Sequence, residues 1–130
     1  MSKRISRTSV AVADGQATQI LGYHTTLVTT LAVEQLPVRV SKAGIPALLL
    51  ARLAVDVSRQ GQGVGAFLLL DVLRRAVVIA EQTGLYGVVL DALNERAKKF
   101  YSRYGFQPLI DHPFHLFLSL ETIFELDLMS

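Results

Sequence analysis

Apolar residues fall in short runs bounded by charged or turn residues, as with Ala47–Ala51 before Arg52 and Ala66–Leu70 before Asp71. Ser6–Ala13 has β character, and Asp14-Gly15 supplies a tight hairpin turn. A stretch rich in Thr, Val and Leu, from about Thr18 to Glu34, predicts a long second strand. Pro37 to Pro46, with Gly44 and two cations, reads as a surface loop. Ala47–Asp56 predicts a buried strand that runs into a loop with glycines at 61, 63 and 65. A helix follows from about Gly63 to Thr83, with Gly84 as its C-cap. Its polar residues, Asp71, Arg74, Arg75, Glu81 and Gln82, form one narrow stripe, so most of its circumference is expected to pack. Tyr86–Leu90 predicts another buried strand. A short helix from about Asn94 to Tyr104 carries Ala97, Phe100, Tyr101 and Tyr104 on one face, and Gly105 ends it. Phe114–Leu120 closes the chain as a strand. The expected order is β-β-β-α-β-α-β: an α/β protein of the α+β type, with a mixed, mostly antiparallel sheet and two main helices.

A chain of 130 residues suits one domain, and no linker, repeat or low-complexity segment divides it. A hydrophobic fraction of 51% with 18% charged residues excludes a disordered chain. The apolar runs are too short to span a bilayer, so no membrane is expected. Lys3, Arg4 and Arg7 make the N-terminus basic, but no apolar segment of a signal peptide follows. Zero cysteines exclude disulfides and a thiolate nucleophile and allow a reducing, cytoplasmic setting. The net charge of +2 is uneven: residues 1–65 hold seven Lys/Arg and three acids, and residues 66–130 hold six and eight. That asymmetry permits a polyanionic partner without requiring one.

Candidate chemistry centres on Gln60-Gly-Gln-Gly-Val-Gly-Ala66. Glycines between a strand and a helix let the backbone approach a ligand, and the free N–H groups of the helix start suit a phosphate. A P-loop is excluded because its Lys is absent. Gly61-x-Gly63-x-x-Ala66 fits a dinucleotide fingerprint, with Asp91 at the end of the next strand as the acidic ribose partner. That fold needs repeated βαβ units, whereas this chain opens with a hairpin and has two convincing helices. Taken alone, the loop also suits a plain tight turn.

Gln60-x-x-Gly63-x-Gly65 resembles the Gln/Arg-x-x-Gly-x-Gly/Ala signature of the GNAT N-acetyltransferases. Asn94-Glu-Arg-Ala97-Lys-Lys-Phe-Tyr101-Ser-Arg-Tyr-Gly-Phe106 is similar to their Asn-x-x-Ala-x-x-Phe-Tyr-x-x-x-Gly-Phe helix. Ser6-Arg7-Thr8, Gly22-Tyr23, Leu49 to Asp56 and Leu116-Phe-Leu-Ser-Leu resemble the GNAT toxins of bacterial toxin–antitoxin pairs. The resemblance covers nearly the whole chain as a single GNAT-like domain, 1–130. It lacks the strand and about two helices with which that family usually begins. It implies acetyl-CoA as donor, the amino group of aminoacyl-tRNA as acceptor, and a ribbon-helix-helix antitoxin as partner. Apolar surface left by the shorter N-terminus is expected to favour a homodimer.

The resemblance also implies roles for particular residues. The backbone of Leu53, Ala54 and Val55 would pair with the pantetheine arm, as an added strand does. The N–H groups of Gln60, Gly61, Gln62, Gly63, Val64, Gly65 and Ala66 would hold the pyrophosphate. An N–H near Val55 would polarise the thioester carbonyl. Tyr101 would protonate the departing thiolate, although its place on the apolar face also suits a core aromatic. Tyr104 reads as core. Asn94 would touch CoA, and an Asn there is equally an ordinary N-cap. No general base stands out, which suits an α-amino acceptor with a pKa of about 7.7–8.0. Arg39, Lys42, Arg52 and Arg59 are candidates for phosphates of tRNA or CoA, or simply solvated charges. His112 and His115 lack companion ligands, so no metal is expected, and no Gly-x-Ser-x-Gly element signals a serine hydrolase. Two other readings stay open: a GNAT acting on a small amine or a protein amino group, and a truncated, non-catalytic CoA-binding module.

Overall fold

The computed structural model describes residues 6–13, 16–31, 44–110 and 112–126. Asp14-Gly15 and most of the 37–46 loop, with Arg39 and Lys42, lie outside the described residues. The elements are β1 (Ser6–Ala13), β2 (Gln16–Leu31), β3 (Ile45–Val55), α1 (Val64–Thr83), β4 (Gly87–Asp91), α2 (Glu95–Ser102), β5 (Gln107–Leu109), β6 (His112–Ser119) and α3 (Leu120–Glu125). They form a six-stranded sheet in the order β1-β2-β3-β4-β6-β5. Of its pairs only β3–β4 is parallel, so the α+β, mostly antiparallel expectation holds.

Three details depart from the sequence reading. β5 and α3 are additional elements; β5 has three residues, and α3 starts at Leu120 because the Ser119 side chain accepts from the Thr122 N–H. β3 begins at Ile45, ahead of Pro46. α1 buries one face rather than most of its circumference, since Phe67 and Val78 are exposed.

The main core lies between α1 and the sheet, where Leu69, Val72, Leu73 and Ala76 meet Leu48, Leu50, Val88, Leu90, Leu116 and Leu118. Leu31, Ile45, Ala47, Val89 and Leu109 cluster on the other face. This two-residue alternation gives each strand its two faces. A polar tie fixes α1 over the hairpin: fully buried His24 of β2 has Nε2 at 2.7 Å from Asp71 Oδ2, and Arg75 donates to Ser9 Oγ at 2.9 Å. Gly22, beside that tie, has no room for a side chain; a β-carbon would stand 2.5 Å from Ala54 O and 2.9 Å from Leu68 Cδ1. Among the described residues no helix is long and apolar enough to cross a membrane.

Candidate active site

The pairing of β3 with β4 covers only Leu48–Leu50 against Val88–Leu90. Beyond Leu50 the strands part. β3 is bulged at this point: Thr25 faces Arg52 while Thr26 faces Leu50, leaving Ala51 without a partner on β2. β4 meanwhile turns to β6, with Ala92 N–H donating to Phe114 O at 2.8 Å.

The parting exposes one edge of β3. Asp56 N–H donates to Leu21 O at 2.7 Å, and antiparallel bonds alternate, so Ala54 exchanges its bonds with Tyr23. Leu53 and Val55 therefore point their N–H and C=O groups away from β2, into the gap. Gln60 Nε2 lies 3.5 Å from Val55 O on that side.

The glycine loop follows. Asp56 accepts from the Ser58 N–H at 3.1 Å and from the Ser58 hydroxyl, ordering the turn Val57–Arg59. The Ser58 hydroxyl, with the Ser58 N–H and then Arg59, holds the Asp56 carboxyl below its ordinary pKa. Gly61 and Gly63 have φ of 82° and 83°, values that favour glycine, and Gly63 is the N-cap of α1 without a side-chain cap. The first intrahelical bond is Phe67 N–H to Gly63 O, at 3.0 Å. The N–H groups of Val64, Gly65 and Ala66 thus have no intrahelical acceptor, and the positive end of the helix dipole lies behind them.

α2 forms the opposite wall. Asn94 is its N-cap, with Oδ1 accepting from Ala97 N–H at 2.9 Å. Phe100, Tyr101, Tyr104 and Phe106 interlock edge to face. Tyr101 is half-buried, and burial pushes its phenol above the usual value, so it keeps its proton at neutral pH.

These walls enclose a cleft of about 720 Å³. It brings together Leu53, Val55, Gln60, Gly61, Gly63, Gly65, Ala66, Asn94 and Tyr101 from the expected set. Ala54, Gln62 and Val64 do not line it; Ala54 faces the other way by the strand alternation. Tyr104, expected in the core, packs there and also lines the cleft. Arg96 and Arg103 line it as well and were missed. Their signal was the seven-residue spacing on α2, which sets both beside Phe100. Arg52 is exposed on β3 outside the cleft lining, and Arg59 is partly buried. Among the described residues no group of three His, Cys, Asp or Glu could hold a metal ion.

A strand edge opened beside a glycine-capped helix, with a phenol facing it, fits the donor half of an acyl-CoA transferase. Residues 6–108 match the family model described as acetyltransferase (GNAT) domain. The chain belongs to the GNAT acetyltransferase family. It is 34% identical over 119 residues to the tRNA-acetylating toxin of Mycobacterium tuberculosis, covering 89% of this chain and 70% of that one. A solved structure of AtaT complexed with acetyl-methionyl-tRNAfMet is 32% identical with a TM-score of 0.83, over 95% of this chain and 76% of that one. AtaTR bound with AcCoA is similarly close, 32% identical with a TM-score of 0.81, over 95% and 75%. A Tyr-to-Phe mutant of AtaT bound to the C-terminus of the antitoxin AtaR gives 30% and 0.78, over 96% and 73%.

Proposed function

We propose that this chain is a tRNA-acetylating toxin, a single acetyltransferase domain that moves the acetyl group of acetyl-CoA to the α-amino group of aminoacyl-tRNA. The observation that carries the reading is the convergence of three features in one cleft: the free β3 edge at Leu53 and Val55, the uncapped N–H groups of the glycine loop, and the Tyr101 phenol. The tRNA-acetylating relative and the AtaT complex with acetyl-methionyl-tRNAfMet support the acceptor.

In this reading the pantetheine arm extends β3 by pairing with Leu53 and Val55, and the pyrophosphate rests on the N–H groups of Gly61 and of Gly63 to Ala66, the Gln62 N–H being donated to Arg59 O at 3.3 Å. Tyr101 supplies the proton to the departing thiolate. A thiol of pKa about 8.5 leaves readily, so the phenol's contribution is placement of that proton. The AtaT–AtaR complex supports a protein antitoxin as partner, and the substrates place the activity in the cytoplasm.

The test offers labelled acetyl-CoA with charged total tRNA, uncharged tRNA and a panel of small amines and lysine peptides. Label in N-acetyl-aminoacyl-adenosine after nuclease digestion is the expected outcome. Transfer confined to the small amines or peptides would replace this acceptor with another.

A further inference from the structure

The acceptor must approach from the side that the donor leaves open. The donor cleft lies between β3, the glycine loop and α2 on the α1 side of the sheet, and its β3 wall begins at Leu53, just beyond the Leu50–Leu90 pair where β3 and β4 part. Asp91 is the next residue of β4. It pairs with His115 of β6 on one side and with no β3 residue on the other.

Its direction follows from the core. Val88 and Leu90 pack on the α1 side, and Val89 belongs to the cluster on the other face. Asp91 therefore lies on the face away from α1. His115 shares that face, because Leu116 and Leu118 pack on the α1 side while Phe117 packs on the other. Arg52 stands there too, on the β3 bank of the gap, since its neighbour Leu53 pairs with His24, which faces α1. Asp91 is exposed and takes part in no ion pair among the described residues. An anion thus stands where the two strands separate, on the face the donor does not fill.

We propose that Asp91 receives the acceptor's amino group, a role that rests on the donor cleft being an acetyl-CoA site. The carboxylate attracts the α-ammonium to the gap and orients the nitrogen once one proton has passed to water. The nitrogen attacks the acetyl carbonyl, forming the C–N bond as the C–S bond breaks. The thiolate takes the Tyr101 proton, and the nitrogen's surplus proton leaves through Asp91 to solvent, from which Tyr101 is reprotonated.

The experiment compares wild-type protein with Asp91→Asn and Asp91→Glu, using charged total tRNA and acetyl-CoA. A charge-assisted hydrogen bond of ordinary strength predicts that Asp91→Asn lowers kcat/KM for charged tRNA by roughly 10- to 100-fold. The acetyl-CoA Kd should stay unchanged, and Asp91→Glu should recover part of the rate. Full activity in Asp91→Asn, or a loss that follows a loss of acetyl-CoA binding, overturns the assignment. Failure of the wild-type protein to bind acetyl-CoA overturns both this inference and the reading beneath it.

Discussion

Gly65, in the first turn of α1, lies against Phe100 of α2: a β-carbon on Gly65 would meet Phe100 Cζ at 3.7 Å and Val55 Cγ2 at the same distance. The glycine loop and the aromatic helix, 35 positions apart in the chain, are thus two walls of one cleft.

The three loop glycines should respond differently to alanine. At Gly65 an added methyl makes ordinary contacts, so Gly65→Ala should leave the melting temperature nearly unchanged. Gly61 and Gly63 meet nothing within 4 Å but have positive φ, and alanine there costs about 1 kcal/mol of backbone strain. Thermal melts should rank Gly63→Ala below Gly65→Ala, and calorimetry should show weaker acetyl-CoA binding for Gly63→Ala. An equal response at 63 and 65 would contradict a backbone role.

Tyr101→Phe keeps the ring packing and removes the proton. Transfer should fall by about 100-fold, the lower end for general acid catalysis because the thiolate is already a good leaving group. Acetyl-CoA affinity should be unchanged. Burial raises the folded-state pKa of this phenol above the unfolded value near 10. Between those two values the folded protein holds more protons than the unfolded chain, so stability falls as pH rises. The contribution is complete below about pH 10. Urea midpoints of wild-type protein should therefore drop above that pH more steeply than those of Tyr101→Phe.

Asn94 caps α2, and that role is separable from any contact with CoA. Asn94→Ala should cost about 1 kcal/mol, while Asn94→Asp and Asn94→Ser should restore the stability. If acetyl-CoA affinity also recovers in both caps, Asn94 acts through the helix alone. Affinity lost in all three would assign it a contact with the ligand.

The His24–Asp71 pair ties β2 to the helix that carries the glycine loop. Asp71→Ala leaves a fully buried imidazole without that partner, and His24 Nδ1 already has none among the described residues. The cost should be about 1–3 kcal/mol. Because Asp71 is itself partly exposed, water can enter and hold it toward the lower figure. Denaturant midpoints check this, and Asp71→Asn should recover most of the loss.

Much of this fold was legible because its signals are local. Glycines at 61, 63 and 65 mark a strand-to-helix turn, Gly84 takes the left-handed C-cap conformation, and Asn94 starts α2 as a cap. β5 is too short for a periodic pattern and contains Pro108. α3 carries no sequence signal strong enough to predict it: Leu120 continues the apolar run of β6, so the last strand is expected to end there, and the short stretch after it shows no helical period. The cleft was legible in outline. The bulge at Ala51 and the end of pairing at Leu50 were not, because register depends on partners distant in sequence. The place of Ala54 was within reach, since a strand turns alternate backbone groups to opposite neighbours. Arg96 and Arg103 were not legible as cleft residues, because the charges of α2 fall opposite its apolar face in the sequence pattern and a charged helix face is ordinarily solvated.

Amide hydrogen exchange with and without acetyl-CoA tests the central claim, that the donor lies along the free edge of β3 and on the glycine loop. Slower exchange at Leu53, Val55 and the loop N–H groups of Gly61 and of Gly63 to Ala66, with Ala54 slow in both states, is the predicted result. Acetyl-CoA that binds yet leaves Leu53 and Val55 exchanging as before would contradict it.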